Sequence, residues 1–157
     1  MPQKTAYVCG PLTELSPEVA QNAKIFYERI ADVCQGIMGV RAFVPHEHYD
    51  PIKHAHFTPE QVDRAERDQI FQRTSLLIVV PIAPSWGGGI EVEMANWRNI
   101  SAIILVEKGK KISRLLKGNP AVEEIIEYED EDEGILVLEK AIIDLFQSKK
   151  QLAEVPF

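Results

Sequence analysis

Residues 76–95 read LLIVVPIAPSWGGGIEVEMA. The first seven are apolar, with no polar alternation. A short run of that kind reads as a strand covered on both faces, as in a parallel sheet. Pro84-Ser85-Trp86 and three glycines then form a loop, and Ile90 to Arg98 reads as a helix. A strand that passes through a glycine-rich connection into a helix is the repeating unit of parallel α/β sheets.

The same alternation extends in both directions. TAYVC (5–9) ends at Gly10-Pro11 and reads as strand then turn. Ser16-Pro17-Glu18 opens a helix with an early proline. Its apolar set Ala20, Ala23, Phe26, Tyr27, Ile30 and Val33 recurs at threes and fours, and Gly36 and Gly39 close it. RAFV (41–44) is a second strand ending at Pro45. PHEHYDPIKHAHF (45–57) is read as a loop, and Thr58-Pro59-Glu60 starts a helix running to about Thr74. SAIILV (101–106) is a fourth strand and GKKISRLLKG contains a short helix. EEIIEY (123–128) is a fifth strand, and 130–148 form a last helix whose acidic opening suits a helix N-terminus. The expected fold class is therefore α/β: a single-domain, open, mainly parallel five-stranded sheet, Rossmann-like or flavodoxin-like, with helices on both faces. The domain is expected over 1–150, with 151–157 as a C-terminal tail. Ligands of such sheets bind at the carboxyl ends of the strands, near the switch in strand order. Here those ends are Cys9-Gly10, Val44-Pro45-His46 and Ile82 to Gly89.

Composition narrows the function classes. The chain has 157 residues, is 45% hydrophobic and carries a net charge of −7 without a long basic stretch. That opposes nucleic acid and anionic membrane surfaces as partners. No apolar run reaches the length of a membrane span, and MPQKTAYVCG has no signal-peptide core. Two cysteines, Cys9 and Cys34, form no CxxC pair. The expectation is a cytoplasmic protein with free thiols.

Several residues are candidates for chemistry. Glu91 is expected in the first turn of the helix after the glycines, where the helix dipole favours its ionised form unless burial opposes this. An ionised carboxylate at a strand's carboxyl end is a candidate nucleophile, or it simply complements the helix dipole. Glu93, two residues on, faces elsewhere and is read as structural. Asp68 matters only if the fold brings it to the same cleft. His46, His48, His54 and His56 cluster, but no firm frame or cysteine set accompanies them, so no metal is expected. His46 follows a strand directly and is a candidate ligand contact. CGPLTELS fits neither GxGxxG nor a Walker A loop, and no cofactor is expected.

Taken in order, AYVCG, RDQIF, PSWGGGIE and KISRLLKG resemble motifs of the nucleoside 2-deoxyribosyltransferase superfamily. Within it, the chain looks most like the 2′-deoxynucleoside 5′-phosphate N-hydrolase branch. The resemblance implies Glu91 as the nucleophile on C1′, assisted by Asp68, with Tyr7 beside the nucleophile and sugar. It places Gly10, His46, Ser85, Gly87 and Gly89 along the ligand site, and Ser113 on a phosphate across a homodimer interface. The partner it implies is a small nucleoside or nucleotide. Pro11 stands where the hydrolase branch has a serine, and Thr13 to Ser16 replaces its Arg-Gly-Gly part. A free nucleoside and a nucleotide held by Ser85 and Ser113 therefore both fit. The expected activity is hydrolysis of an N-glycosidic bond. Base exchange, a non-catalytic sensor of the same fold, and the cytokinin-activating phosphoribohydrolases are the alternatives. The last rank lower because PSWGGGIEVE lacks their Gly-Thr.

Overall fold

The computed structural model describes residues 3–153. Its elements are β1 (Thr5–Cys9), α1 (Pro17–Met38), α2 (Pro45–Tyr49), α3 (Pro59–Asp68), a π-helical turn (Gln69–Arg73), β2 (Thr74–Val79), α4 (Trp86–Trp97), β3 (Ser101–Glu107), α5 (Arg114–Lys117), β4 (Val122–Tyr128) and α6 (Glu131–Ala153). The α/β class and parallel pairing match expectation. The sheet has four strands in the order β1-β2-β3-β4, not five.

The segment expected as the second strand is reduced to one parallel bridge, Tyr7 to Phe43. Two hydrogen bonds hold it: Val8 N–H to Phe43 O at 2.9 Å and Phe43 N–H to Ala6 O at 2.8 Å. There is no room for more. Gly39 ends α1 in a left-handed conformation (φ 74°), and Pro45, which lacks an N–H, starts α2. Residues 45–49, read as loop, are helical for the same reason, because proline is pre-set for the first helical turn. The expected tail from 151 begins inside α6, and residues 154–157 lie outside the described residues.

The bridge still matters topologically. After β1 the chain passes to the Phe43 side of the sheet, then returns past β1 to β2. The direction of strand addition therefore reverses at β1, and the crevice at its carboxyl end is where such sheets hold ligands.

Period-two alternation divides the core into two layers. Ala6, Val8, Leu76, Ile78, Ile103 and Leu105 pack with α1 and α6 on one face. Tyr7, Cys9, Leu77, Val79, Ala102 and Ile104 pack with Val92, Met94 and Ala95 of α4 on the other. The β4 edge carries Glu123, Glu124 and Glu127, charges that discourage a further strand from adding there. No helix among the described residues is long and apolar enough to cross a membrane.

Gly10 shows how tightly β1 meets α1. A Cβ there would lie 2.4 Å from the Tyr27 ring, and Tyr27 is buried with its hydroxyl donating to Pro11 O at 2.9 Å. The ring has little room to yield. Gly10→Ala is expected to lower stability by about 1–3 kcal/mol, and a thermal melt within a degree of wild type would contradict this.

Candidate active site

The three glycines of PSWGGG belong to the helix. Ser85 caps α4, its Oγ accepting the Gly88 N–H at 3.2 Å, so the helix starts at Trp86, four residues earlier than the composition implies. None of Gly87, Gly88 and Gly89 has a positive φ. Their use is close approach: a Cβ on Gly88 would sit 3.5 Å from Cys9 Sγ, and Gly87 lines a cavity in front of Glu91.

The earlier start moves Glu91 out of the first turn and onto the sheet-facing side of α4. It is only 8% exposed. Tyr7, fully buried on β1, donates its hydroxyl to Glu91 Oε1 at 2.6 Å. Burial is the main influence on the Glu91 carboxyl and pushes its pKa up; the adjacent Cys9 thiol and Tyr7 hydroxyl pull it back. The lowering expected from the helix dipole is thus reversed by desolvation. Burial and Glu91 in turn raise the pKa of Tyr7 well above its usual value, so it remains a donor.

The cavity before Glu91 holds about 430 Å³, within the range of small-molecule sites. Its walls include Tyr49, His54, Phe57, Val62, Glu66, Gly87, Ile90 and Met94. A larger depression, about 550 Å³, runs along the outside of α3, but residues of that helix alone form it and it encloses nothing.

Two further acids line the cavity: Asp63, which is exposed and paired with Arg67 at 2.9 Å, and the less exposed Glu66. Asp68, expected there, is exposed and lines the depression outside α3 instead. Two residues along a helix turn a side chain about 200°, so Glu66 and Asp68 cannot share a face. Pro59, Val62, Glu66 and buried Ile70 make the inward stripe. A carboxylate interrupting an apolar stripe was the sequence signal for Glu66. Burial first, then Glu91 and Asp63, push its pKa up to about 8.

The segment between α2 and α3, which supplies the aromatic wall, is anchored at Asp50. Lys24 pairs with its carboxylate, and the Ile52 and Lys53 N–H groups donate to it at 2.9 and 3.0 Å. Despite burial, these bonds hold its carboxyl well below the usual range. The Asp50 N–H donates to His54 Nδ1 at 2.9 Å, which orients that ring. Tyr49 meets Phe57 edge to face at 5.3 Å.

His46, Gly10, Gly89 and Ser113 are not among the residues that line this cavity. His46 is buried, paired through Nε2 with Glu28 at 2.8 Å, and lines no part of this cavity; its Nδ1 has no partner among the described residues. Gly10 is accounted for by Tyr27 packing. Gly89 faces open space. Ser113 is exposed and caps α5 by accepting the Leu115 N–H at 3.2 Å. Glu93 bonds Asn96 and Asn119, the structural part expected of it. No group of three or more His, Cys, Asp or Glu among the described residues has the arrangement of a metal site.

No protein-family model matches the chain, and no curated protein does. Solved structures do. The CMP N-glycosidase BcmB of Clostridium botulinum superposes with a TM-score of 0.63 at 19% identity, covering 86% of this chain and 98% of that one. BlsM superposes with a TM-score of 0.71 at 20% identity, covering 98% of each. A conserved protein of Enterococcus faecalis V583 gives 0.54 at 15%, covering 87% and 88%. These likenesses establish a shared parallel α/β fold over nearly the whole chain.

Proposed function

We propose that the protein hydrolyses the N-glycosidic bond of a nucleoside or nucleoside 5′-monophosphate, with Glu91 as nucleophile. The carrying observation is a buried carboxylate at the carboxyl end of β1, bonded by Tyr7, facing a second carboxyl across a cavity of substrate size. BcmB, a CMP N-glycosidase, shares the fold and adds support.

In this reading Glu91 attacks C1′ of the sugar. The C1′–N bond breaks, its electron pair moves into the base, and Glu66 gives the base a proton. Water then attacks C1′ of the glycosyl ester and passes a proton to Glu66, and Glu91 leaves as carboxylate. One hard step becomes two, each with charge-stabilising carboxylates in place. Glu66 takes the assisting part first expected of Asp68. Ser85 and Ser113 each accept a backbone N–H yet keep a hydroxyl proton to donate to a 5′-phosphate. A homodimer remains part of the proposal, and light scattering at twice the chain mass checks it.

The test is liquid chromatography of free base released from a panel of nucleosides and 5′-monophosphates. Base appearing from at least one member, and not from a Glu91→Gln sample, is the expected result. Silence across the panel removes the hydrolase reading. Base moved to an added acceptor base faster than water reacts would make the protein a transferase. Tyr7→Phe removes one donor to Glu91. It is expected to lower kcat by about 10²-fold and to shift the acidic limb of the pH profile upward, since the Tyr7 bond favours ionised Glu91. An unchanged limb would show that Tyr7 only fills space.

A further inference from the structure

A second cavity lies on the α1 and α6 side of the sheet, away from Glu91. It encloses about 150 Å³ between the ends of β2, β3 and β4 and the first turns of α1, and it shares no lining residue with the cavity before Glu91. Such a volume takes a molecule of about six heavy atoms. Ala23, Val80 and Leu105 give it apolar walls. Its one buried polar side chain is Tyr128, 8% exposed. The ring is fixed: it meets Phe26 edge to face at 5.7 Å, and a Cβ on Gly134 would lie 2.9 Å from its Cγ. The described residues give its hydroxyl no hydrogen bond, and that hydroxyl is open to the cavity instead of sealed in protein. Burial first, then Glu131 and Glu107, push its pKa up to about 12, so it stays a neutral hydroxyl with lone pairs to offer.

The charges around Tyr128 favour a cation. Glu107 and Glu131 line the cavity against Lys110 alone, and the Lys110 Nζ is turned to Ile82 O. Arg29 reaches Glu131 at 3.1 Å but divides its guanidinium between that carboxylate and Asp132. Two cations thus face three carboxylates. The N-terminal end of α6 alone would draw an anion, but Glu131, Asp132 and Glu133 in its first turn reverse the sign. One more positive charge completes the balance. We infer that this cavity binds a short primary alkylammonium, its N–H groups on the Tyr128 hydroxyl and the Glu107 and Glu131 carboxylates, its hydrocarbon against Ala23, Val80 and Leu105. An ammonium has three donors and no acceptor, which matches those three oxygen acceptors. An alcohol of the same length brings one donor and no charge. A carboxylate brings no donor and is repelled by both glutamates. The site is independent of the reaction at Glu91.

The experiment titrates the nitrogen-15-labelled full chain by NMR with n-butylammonium chloride, n-butanol and sodium butyrate, which share a four-carbon chain and differ in the head group. Wild type is expected to bind n-butylammonium at least about 10-fold more tightly than n-butanol. Saturable shifts should appear at the amides of Ala23, Leu105 and Tyr128 and not at those of Gly87 and Glu91. Tyr128→Phe keeps the ring on Phe26 and removes a hydroxyl that the protein itself does not use. It should leave the melting temperature near wild type and weaken the ammonium about 10-fold. Glu131→Gln should weaken it roughly 3-fold, and added salt should act in the same direction. Equal affinity for n-butanol would make the cavity merely apolar and overturns the inference. Tighter binding of butyrate would give the site to Lys110 and overturns it as well. So does unchanged ammonium affinity in Tyr128→Phe. Absence of saturable shifts with n-butylammonium leaves the hydroxyl to water, and the inference fails.

Discussion

Glu91→Gln is expected to abolish base release, by about 10⁴-fold in kcat, which is roughly 5 kcal/mol of transition-state stabilisation. The substitution is chosen because it removes the proposed nucleophile and little else. Glutamine has nearly the same volume and still offers Oε1 to the Tyr7 hydroxyl, so the packing of α4 on β1 should survive. An uncharged group at an 8%-exposed position no longer bears the desolvation of a carboxylate. The variant should therefore melt at or above the wild-type temperature while releasing no base. That opposition, stable but inert, is the mark of a catalytic group placed at a cost to the fold. A variant keeping a tenth of wild-type activity would remove Glu91 from the nucleophile's place.

Glu66 carries the second large effect, and it appears in stability. Its folded pKa is raised from 4.5 to about 8. Between those values the native chain retains a proton that the unfolded chain has released. Stability therefore falls as pH rises through this window, and the loss is complete above the folded pKa. Below pH 4.5 both states hold the proton and the group contributes nothing. Glu66→Gln removes the penalty. It should stabilise the protein at pH 8.5 on the order of 2–4 kcal/mol, discounted from the full shift for solvent screening. That amounts to a melting temperature higher by roughly 5–10 °C, with no gain at pH 4. Asp50 works with the opposite sign, since its lowered carboxyl stabilises above its unfolded pKa and that stabilisation is lost in acid. The difference between variant and wild type at each pH cancels that contribution. A gain that is the same at pH 4 and 8.5 would mean that Glu66 is not held neutral.

Much of the fold was legible in the chain. LLIVVPI and SAIILV are apolar enough to be central parallel strands, and they are β2 and β3. The spacing of Ala23, Phe26, Tyr27 and Ile30 marks the buried face of α1. RAFV was misread because its apolar character is that of a strand, while its length is limited by Gly39 before it and Pro45 after it. The start of α4 was misread because glycine has low helix propensity. The Ser85 cap outweighs that once the helix has a sheet to pack on.

The site divides along the same line. Sequence by itself determined the parallel α/β class and marked Glu91 as a residue worth testing, while Tyr7 entered only through the family resemblance. The first two depend on local pattern and order, which the chain carries without reference to anything distant. Only the tertiary structure decided which acid faces Glu91. Glu66 and Asp68 are equivalent in composition, and the choice between them depends on the rotation of α3 against α4. Only the fold, too, buries Glu91 deeply enough to overturn the helix-dipole effect and brings Tyr49, His54 and Phe57 to the cavity wall. Desolvation depends on everything packed around a group, and no window of sequence contains it.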